Sequence, residues 1–256
     1  MNNKLTRLFQ QKNKDLLNVY CTAGYPKLES TTQVLKALQE NGADMIEVGM
    51  PYSDPIADGP VIQQSNMVAI ENGMTIHLLF EQLNSVKNSV TIPLIMMGYL
   101  NPVLQYGLEK FCEDASAAGI AGIILPDLPM YEYEEIYAPI FKKHGLCFIF
   151  LITPQTSTER IKKADKLSSG FLYAVSSSST TGNNLNTENK TAYFERIAGM
   201  NLKNSLMIGF GINNKATFQN ACAYASGGII GSAYIKALGE NNDVKEATKH
   251  FLETIL

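Results

Sequence analysis

No apolar run in the 256-residue sequence approaches the ~20 residues of a membrane-spanning helix. The N-terminal stretch MNNKLTRLFQQKNKDLL is polar and has no apolar signal core, which predicts a cytoplasmic protein. Long runs of one charge are also missing: 24 acids stand against 21 bases, for a formal net charge of −3, so neither nucleic acid nor an anionic membrane is a natural partner. A small ligand fits better. Cys21, Cys112, Cys147 and Cys222 stand singly, with no CxxC pair and no His77, His144 or His250 at ligand spacing. They read as reduced core cysteines, and no metal is expected. The first strand-like run is followed by CTAGYP rather than GxGxxG, so the dinucleotide fingerprint is absent. No shift in composition and no Pro/Ser-rich linker divides the chain, which predicts one domain over residues 1–256.

What is present is alternation. Eight apolar runs read as strands: 16–21, 45–50, 94–97, 120–125, 147–152, 171–175, 206–210 and 228–231. Between them lie segments with helical spacing, among them Val34, Leu35 and Leu38; Leu79, Leu83 and Val86; Phe111 and Ala115; Ile136, Ile140 and Phe141; and Ile161, Ala164 and Leu167. A Gly stands just before the runs that begin near Met45, Ala121, Cys147, Phe171 and Ile229, as expected of left-handed helix stops. Continuous apolar strands suit a parallel sheet covered on both faces. Eight β/α units in about 250 residues predict an α/β fold, a single (β/α)8 TIM barrel. A doubly wound open sheet is the alternative, without its fingerprint.

Barrel chemistry sits at the C-terminal ends of the strands. The run from Met45 to Pro60, MIEVGMPYSDPIADGP, carries three carboxylates within one strand and its loop. Side chains alternate along a strand, so Met45, Glu47 and Gly49 share one face and Ile46, Val48 and Met50 the other. A carboxyl in the middle of a buried strand loses hydration, its pKa rises, and it suits proton transfer near neutral pH. The competing reading is an edge-strand Glu facing water. Asp58 is a candidate partner for Glu47, although Asp-Gly is also an ordinary turn pair. Asp54, before Pro55, reads as a turn initiator that can also meet another chain.

Beyond the sixth strand, residues 176–186 form a polar segment longer than a connection requires, either a plain surface loop or a lid that brings Thr181 and Gly182 to a ligand. The glycine-bearing ends 209–212 and 227–233 are where barrels hold phosphate through backbone N–H groups and a helix N-terminus, with Ser232 as a candidate cap; close packing of small residues is the alternative. None of the eight runs contains Lys, so a Schiff-base aldolase has no nucleophile where the barrel needs one. If carbon–carbon chemistry happens here, side-chain acids and bases must do it unaided.

The stretch from Glu47 to Gln63, EVGMPYSDPIADGPVIQ, resembles the signature of the tryptophan synthase alpha chain family. TAGYP at 22–26, PLIMMGYLNP at 93–102, LPDLP at 125–129, TPQTS at 153–157, TTG at 180–182, GFGI at 209–212 and GSA at 231–233 continue the resemblance in order along the strand ends. It implies a TIM barrel that cleaves indole-3-glycerol phosphate to indole and glyceraldehyde 3-phosphate. Glu47 is then the general acid/base, and Asp58 holds the indole N–H. Tyr20, Met97, Tyr99, Ile124, Tyr173 and Thr181 surround the substrate, and Gly182, Phe210, Gly211, Gly231 and Ser232 take the phosphate. The resemblance also implies a beta-chain partner carrying pyridoxal phosphate, an alpha2beta2 heterotetramer, contacts through Asp54, Pro55 and Asn101, and no cofactor in this chain. Ser177 and Ser179 depart from the Arg and Gly of many members, and Phe171 from a frequent Tyr. Two readings compete with it: another phosphate-binding barrel of the same pathway, and a silent barrel kept to activate a partner.

Overall fold

A computed structural model describes residues 3–175, 187–209 and 211–256. Nine short parallel strands are described: β1 (Leu16–Thr22), β2 (Met45–Gly49), β3 (Leu94–Met97), β4 (Gly122–Ile124), β5 (Cys147–Phe148), β6 (Leu151–Ile152), β7 (Phe171–Val175), β8 (Ser205–Gly209) and β9 (Gly227–Ile230). They form one sheet in the order β5-β4-β3-β2-β1-β9-β8-β7-β6. The predicted fifth strand is thus divided into β5 and β6, and this division closes the barrel. Its first half bonds to one side, with Ile149 N donating to Ile123 O at 3.1 Å. Its second half serves the other side, with Phe150 O accepting from Tyr173 N at 3.0 Å. One stretch of chain joins both ends of the sheet, so no edge remains to expose unpaired backbone.

Two apolar layers follow from strand alternation. Ile46, Val48 and Met50 face outward into the cluster shared with the helices, while Met45 belongs to the barrel interior with Leu16, Ile95, Ile124, Phe171, Tyr173 and Met207. Helix Lys4–Gln11 closes the end of that interior with Leu5, fully buried in the same cluster. Asn3 caps this helix by accepting from Leu5 N at 2.8 Å, and its amide donates to Ala121 O and Gly145 O. The sequence of this segment reads as polar because one side of a short helix does all the packing.

The glycine stops are present at Gly42, Gly119, Gly145 and Gly170, all with positive φ. The fifth is different. Gly227 lies inside β9, where a side chain would collide with the backbone carbonyl of Leu16 on the paired strand. It is small for close strand packing, and helix Lys215–Tyr224 ends without it. The face predicted from Ile136, Ile140 and Phe141 is also corrected. A π-helical turn at Tyr133–Tyr137 adds a residue to the turn, so Tyr133, Tyr137 and Phe141 are buried and Ile136 is 55% exposed. Tyr133 then stacks on Phe148 of β5, with ring centroids 4.3 Å apart. All four cysteines are free and buried. No helix among the described residues is long and apolar enough to cross a membrane.

Candidate active site

β2 pairs with β1 on one side and β3 on the other, which removes the edge-strand reading of Glu47. Its side chain points into the barrel and is fully buried. In register it stands beside Tyr20 of β1 and Ile95 of β3. Asn18, also fully buried, donates from Nδ2 to Glu47 Oε1 at 2.6 Å. The other oxygen, Oε2, has no partner among the described residues. Burial pushes the Glu47 carboxyl up to about 8, against the smaller lowering effect of the Asn18 hydrogen bond.

Asp58 comes from the loop between β2 and helix Pro60–Glu71. Pro60 at the start of that helix needs no N–H partner there, and the loop is tied down by its own backbone. Asp58 N donates to Pro55 O at 3.1 Å, and Gln63 Nε2 donates to Asp58 O at 2.9 Å. Tyr99, just past β3, donates its hydroxyl to Asp58 Oδ2 at 2.8 Å. Burial raises the Asp58 carboxyl to about 6, and the Tyr99 hydrogen bond holds it from going higher.

Both acids line one cavity of about 470 Å³ at the strand ends, together with Tyr20, Ile62, Met97 and Tyr173. Two glycines make room for the tyrosines: a methyl group at Gly49 would fall on the Tyr20 hydroxyl, and one at Gly209 on that of Tyr173. Burial, with the nearby Glu47 and Asp58 charges, lifts both phenols well above their ordinary range, so they remain protonated. The far side of the cavity is formed by Gly211, Asn213, Gly231 and Ser232, at the N-terminus of helix Ser232–Glu240. Gly231, not Ser232, is the N-cap, and no side chain caps this helix. Ser232 is the first helical residue and presents itself to the cavity instead. The helix N-terminus therefore keeps backbone donors and its positive end for an anion.

The remaining sequence-predicted positions separate. Tyr99 reaches the site through Asp58 rather than as cavity wall. Ile124 is fully buried among the interior apolar residues and lies off the cavity wall, because its strand β4 ends beside Met97 and the cavity opens toward the later strands. Thr181, Gly182, Phe210, Ser177 and Ser179 lie outside the described residues. Asp54, in the loop after β2, and Asn101, in the first turn of helix Leu100–Tyr106, are both exposed, and the two segments meet where Asn101 Nδ2 donates to Tyr52 OH at 3.4 Å and Tyr52 packs on Tyr99. Pro55, between them in sequence, is buried, so it supports this surface from beneath. No group of three His, Cys, Asp or Glu side chains among the described residues is arranged to hold a metal.

Asn18, Lys236 and Glu240 are cavity or near-cavity groups that sequence reasoning missed. Asn18 carried the same signal as Glu47, a lone polar residue in an apolar strand. Lys236 and Glu240 follow Ser232 at intervals of four, one face of a helix whose start had to be known first. Among the described residues, Lys236 is the one cationic side chain lining the cavity.

The tryptophan synthase alpha chain family profile matches residues 6–255. The tryptophan synthase alpha chain of Flavobacterium psychrophilum is 56% identical over 232 residues, covering 90% of this chain and 92% of that relative. The alpha chain of Parabacteroides distasonis is 51% identical over 254 residues, 99% of both. The crystal structure of the tryptophan synthase alpha chain from Legionella pneumophila matches this fold with a TM-score of 0.88 at 32% identity, covering 100% of this chain and 96% of that one. With sequence and fold both matched along nearly the whole length, this chain belongs to the tryptophan synthase alpha chain family.

Proposed function

We propose that the cavity above Glu47 and Asp58 is where indole-3-glycerol phosphate is split into indole and glyceraldehyde 3-phosphate. The protein is a carbon–carbon lyase of L-tryptophan biosynthesis. The observation that carries the assignment of roles is the different setting of the two acids in one cavity: Glu47 is fully buried with Oε2 unpartnered among the described residues, whereas Asp58 accepts from the Tyr99 hydroxyl at 2.8 Å, and burial accordingly raises Glu47 to about 8 and Asp58 only to about 6.

Glu47 in its acid form protonates indole C3, and the ring becomes a cation that can take up the bonding electrons. Asp58, ionised, accepts the indole N–H and stabilises the positive charge as it develops. Glu47, now a carboxylate, removes the proton from the glycerol hydroxyl. The carbon–carbon bond breaks in a retro-aldol step with its electron pair passing to the protonated ring; the donated proton stays at indole C3, and the hydroxyl proton restores the acid form of Glu47. One residue serves both transfers, and a carboxyl raised to about 8 can hold and release a proton near neutral pH.

Tyr20, Met97 and Tyr173 wall the indole, with Ile124 supporting from the interior and Thr181 as a further substrate-binding residue. The phosphate is held by the Gly211 turn and the Gly231–Ser232 helix start, with Gly182 and Phe210 adding backbone donors and Lys236 the countercharge. The substrate thus lies with its ring over the acids and its anion at the helix N-terminus. We further propose that the whole chain is one barrel domain acting in the cytoplasm with a beta chain in an alpha2beta2 heterotetramer. Pyridoxal phosphate belongs to that partner, and this chain uses no cofactor. Asp54 and Asn101, supported by Pro55, form part of the contact face.

Release of indole from indole-3-glycerol phosphate, assayed with and without a beta chain, tests the reading. Cleavage in either assay supports it. No release in both overturns it and leaves a silent barrel that only binds its partner.

A further inference from the structure

Asn18 is out of place as a core residue. It sits in the middle of β1, LLNVYCT, every residue of which is buried, and points toward the barrel interior beside Met45. An amide moved from water into such surroundings is costly unless its hydrogen bonds are replaced. Here only half are: Nδ2 reaches Glu47 Oε1 at 2.6 Å, while Oδ1 has no partner among the described residues. An aliphatic side chain would pack this layer at lower cost, so stability does not account for the residue. Its one hydrogen-bonding partner does.

We propose that Asn18 is a positioning residue that, by donating to Oε1 of Glu47, keeps the transferable proton on Oε2. The inference rests on the reading of Glu47 as the acid/base. An N–H and an O–H cannot both point at each other across one contact, so a carboxyl that accepts from an amide through Oε1 carries its own proton on Oε2. Among the described residues Oε2 has no partner, so it is the oxygen left for substrate. The same hydrogen bond holds the side chain in one orientation through both proton transfers.

The groups around Glu47 leave this task to Asn18. Tyr20 on β1, Tyr173 on β7 and Asp58 on the loop are its titratable neighbours, with Cys21 behind β1. β3 contributes Ile95 and Met97, which do not titrate. Among the described residues, Asn18 is the one whose side chain donates to Glu47 and favours its charged form.

The test compares the wild type with Asn18→Leu, which keeps the branched shape and removes the donor. Cleavage is expected to fall about tenfold in kcat with KM within about twofold, and the Glu47-controlled limb of the pH profile to move up by about one unit. The infrared C=O band of protonated Glu47, isolated by difference against Glu47→Gln, is expected at higher frequency once its hydrogen bond is gone. An unchanged band together with an unchanged pH profile overturns the proposal. If Asn18→Leu does not fold, Asn18→Ser is measured the same way and shows intermediate shifts; wild-type behaviour there overturns it equally. The infrared band does not depend on turnover, so failure to cleave the substrate and failure of the Asn18 proposal remain separate results.

Discussion

The Tyr99 hydroxyl stands between two parts of the loop it orders, accepting from Ala57 N at 2.9 Å and donating to Asp58 Oδ2 at 2.8 Å. A residue at the end of β3 therefore holds the carboxylate that follows β2.

Tyr99→Phe removes the donor that lowers the Asp58 pKa, which then rises above its value of about 6. The ionised form is needed, so the acidic limb of kcat/KM is expected to move to higher pH. Activity at pH 7 falls several-fold and returns only in part toward pH 8, above which loss of the Glu47 proton sets the limit. A profile superimposable on the wild type would show that the hydrogen bond has no such role.

Glu47→Gln keeps an acceptor for Asn18 and loses the proton. Turnover is expected to fall about 10²- to 10⁴-fold with substrate binding retained. Stability changes in the other direction. The folded state holds the Glu47 proton up to about pH 8, whereas the unfolded chain releases it near 4.5, so wild-type stability declines as pH rises through that window. Glu47→Gln lacks this contribution, while the decline linked to Asp58, raised from 3.8 to about 6, is common to both proteins. Its melting temperature is expected to match the wild type below about pH 4.5 and to exceed it by several degrees above about pH 8, as calorimetry at the two ends will show.

Gly49→Ala places a methyl group where the Tyr20 hydroxyl lies. Overpacking of this kind costs about 1–3 kcal/mol. Denaturant unfolding of Gly49→Ala, Tyr20→Leu and the double variant is expected to show less-than-additive losses, because removal of the ring relieves the collision. Additive losses would place the strain elsewhere.

Lys236 is exposed, and its replacement by Met is expected to leave stability within about 0.5 kcal/mol. The KM for indole-3-glycerol phosphate is expected to rise several-fold, inhibition by inorganic phosphate to weaken, and the dephosphorylated substrate to be processed as by the wild type. Equal effects on both substrates would remove Lys236 from the phosphate site.

Much of the site was legible in one dimension because strand alternation is a local rule. Glu47 had to share a face with Met45 and Gly49, and Asp58 had to lie within a loop's reach of it. Helix faces were less secure. The extra residue of the π turn at Tyr133–Tyr137 exchanges Ile136 for two tyrosines, and nothing in the local spacing announces it.

The sequence by itself determined the barrel and the family, and it named Glu47 and Asp58 as candidates at the strand ends, since each reading depends on short-range periodicity or on motif order along the chain. Only the tertiary structure decided that Glu47 is wholly buried against Asn18, that Tyr99 rather than a cation attends Asp58, and that Lys236 shares the cavity with Ser232. Those facts set the proton affinities. Desolvation and hydrogen bonding are properties of neighbours brought together from distant parts of the chain, 29 residues apart for Asn18 and Glu47 and 41 for Asp58 and Tyr99, and no local pattern encodes them.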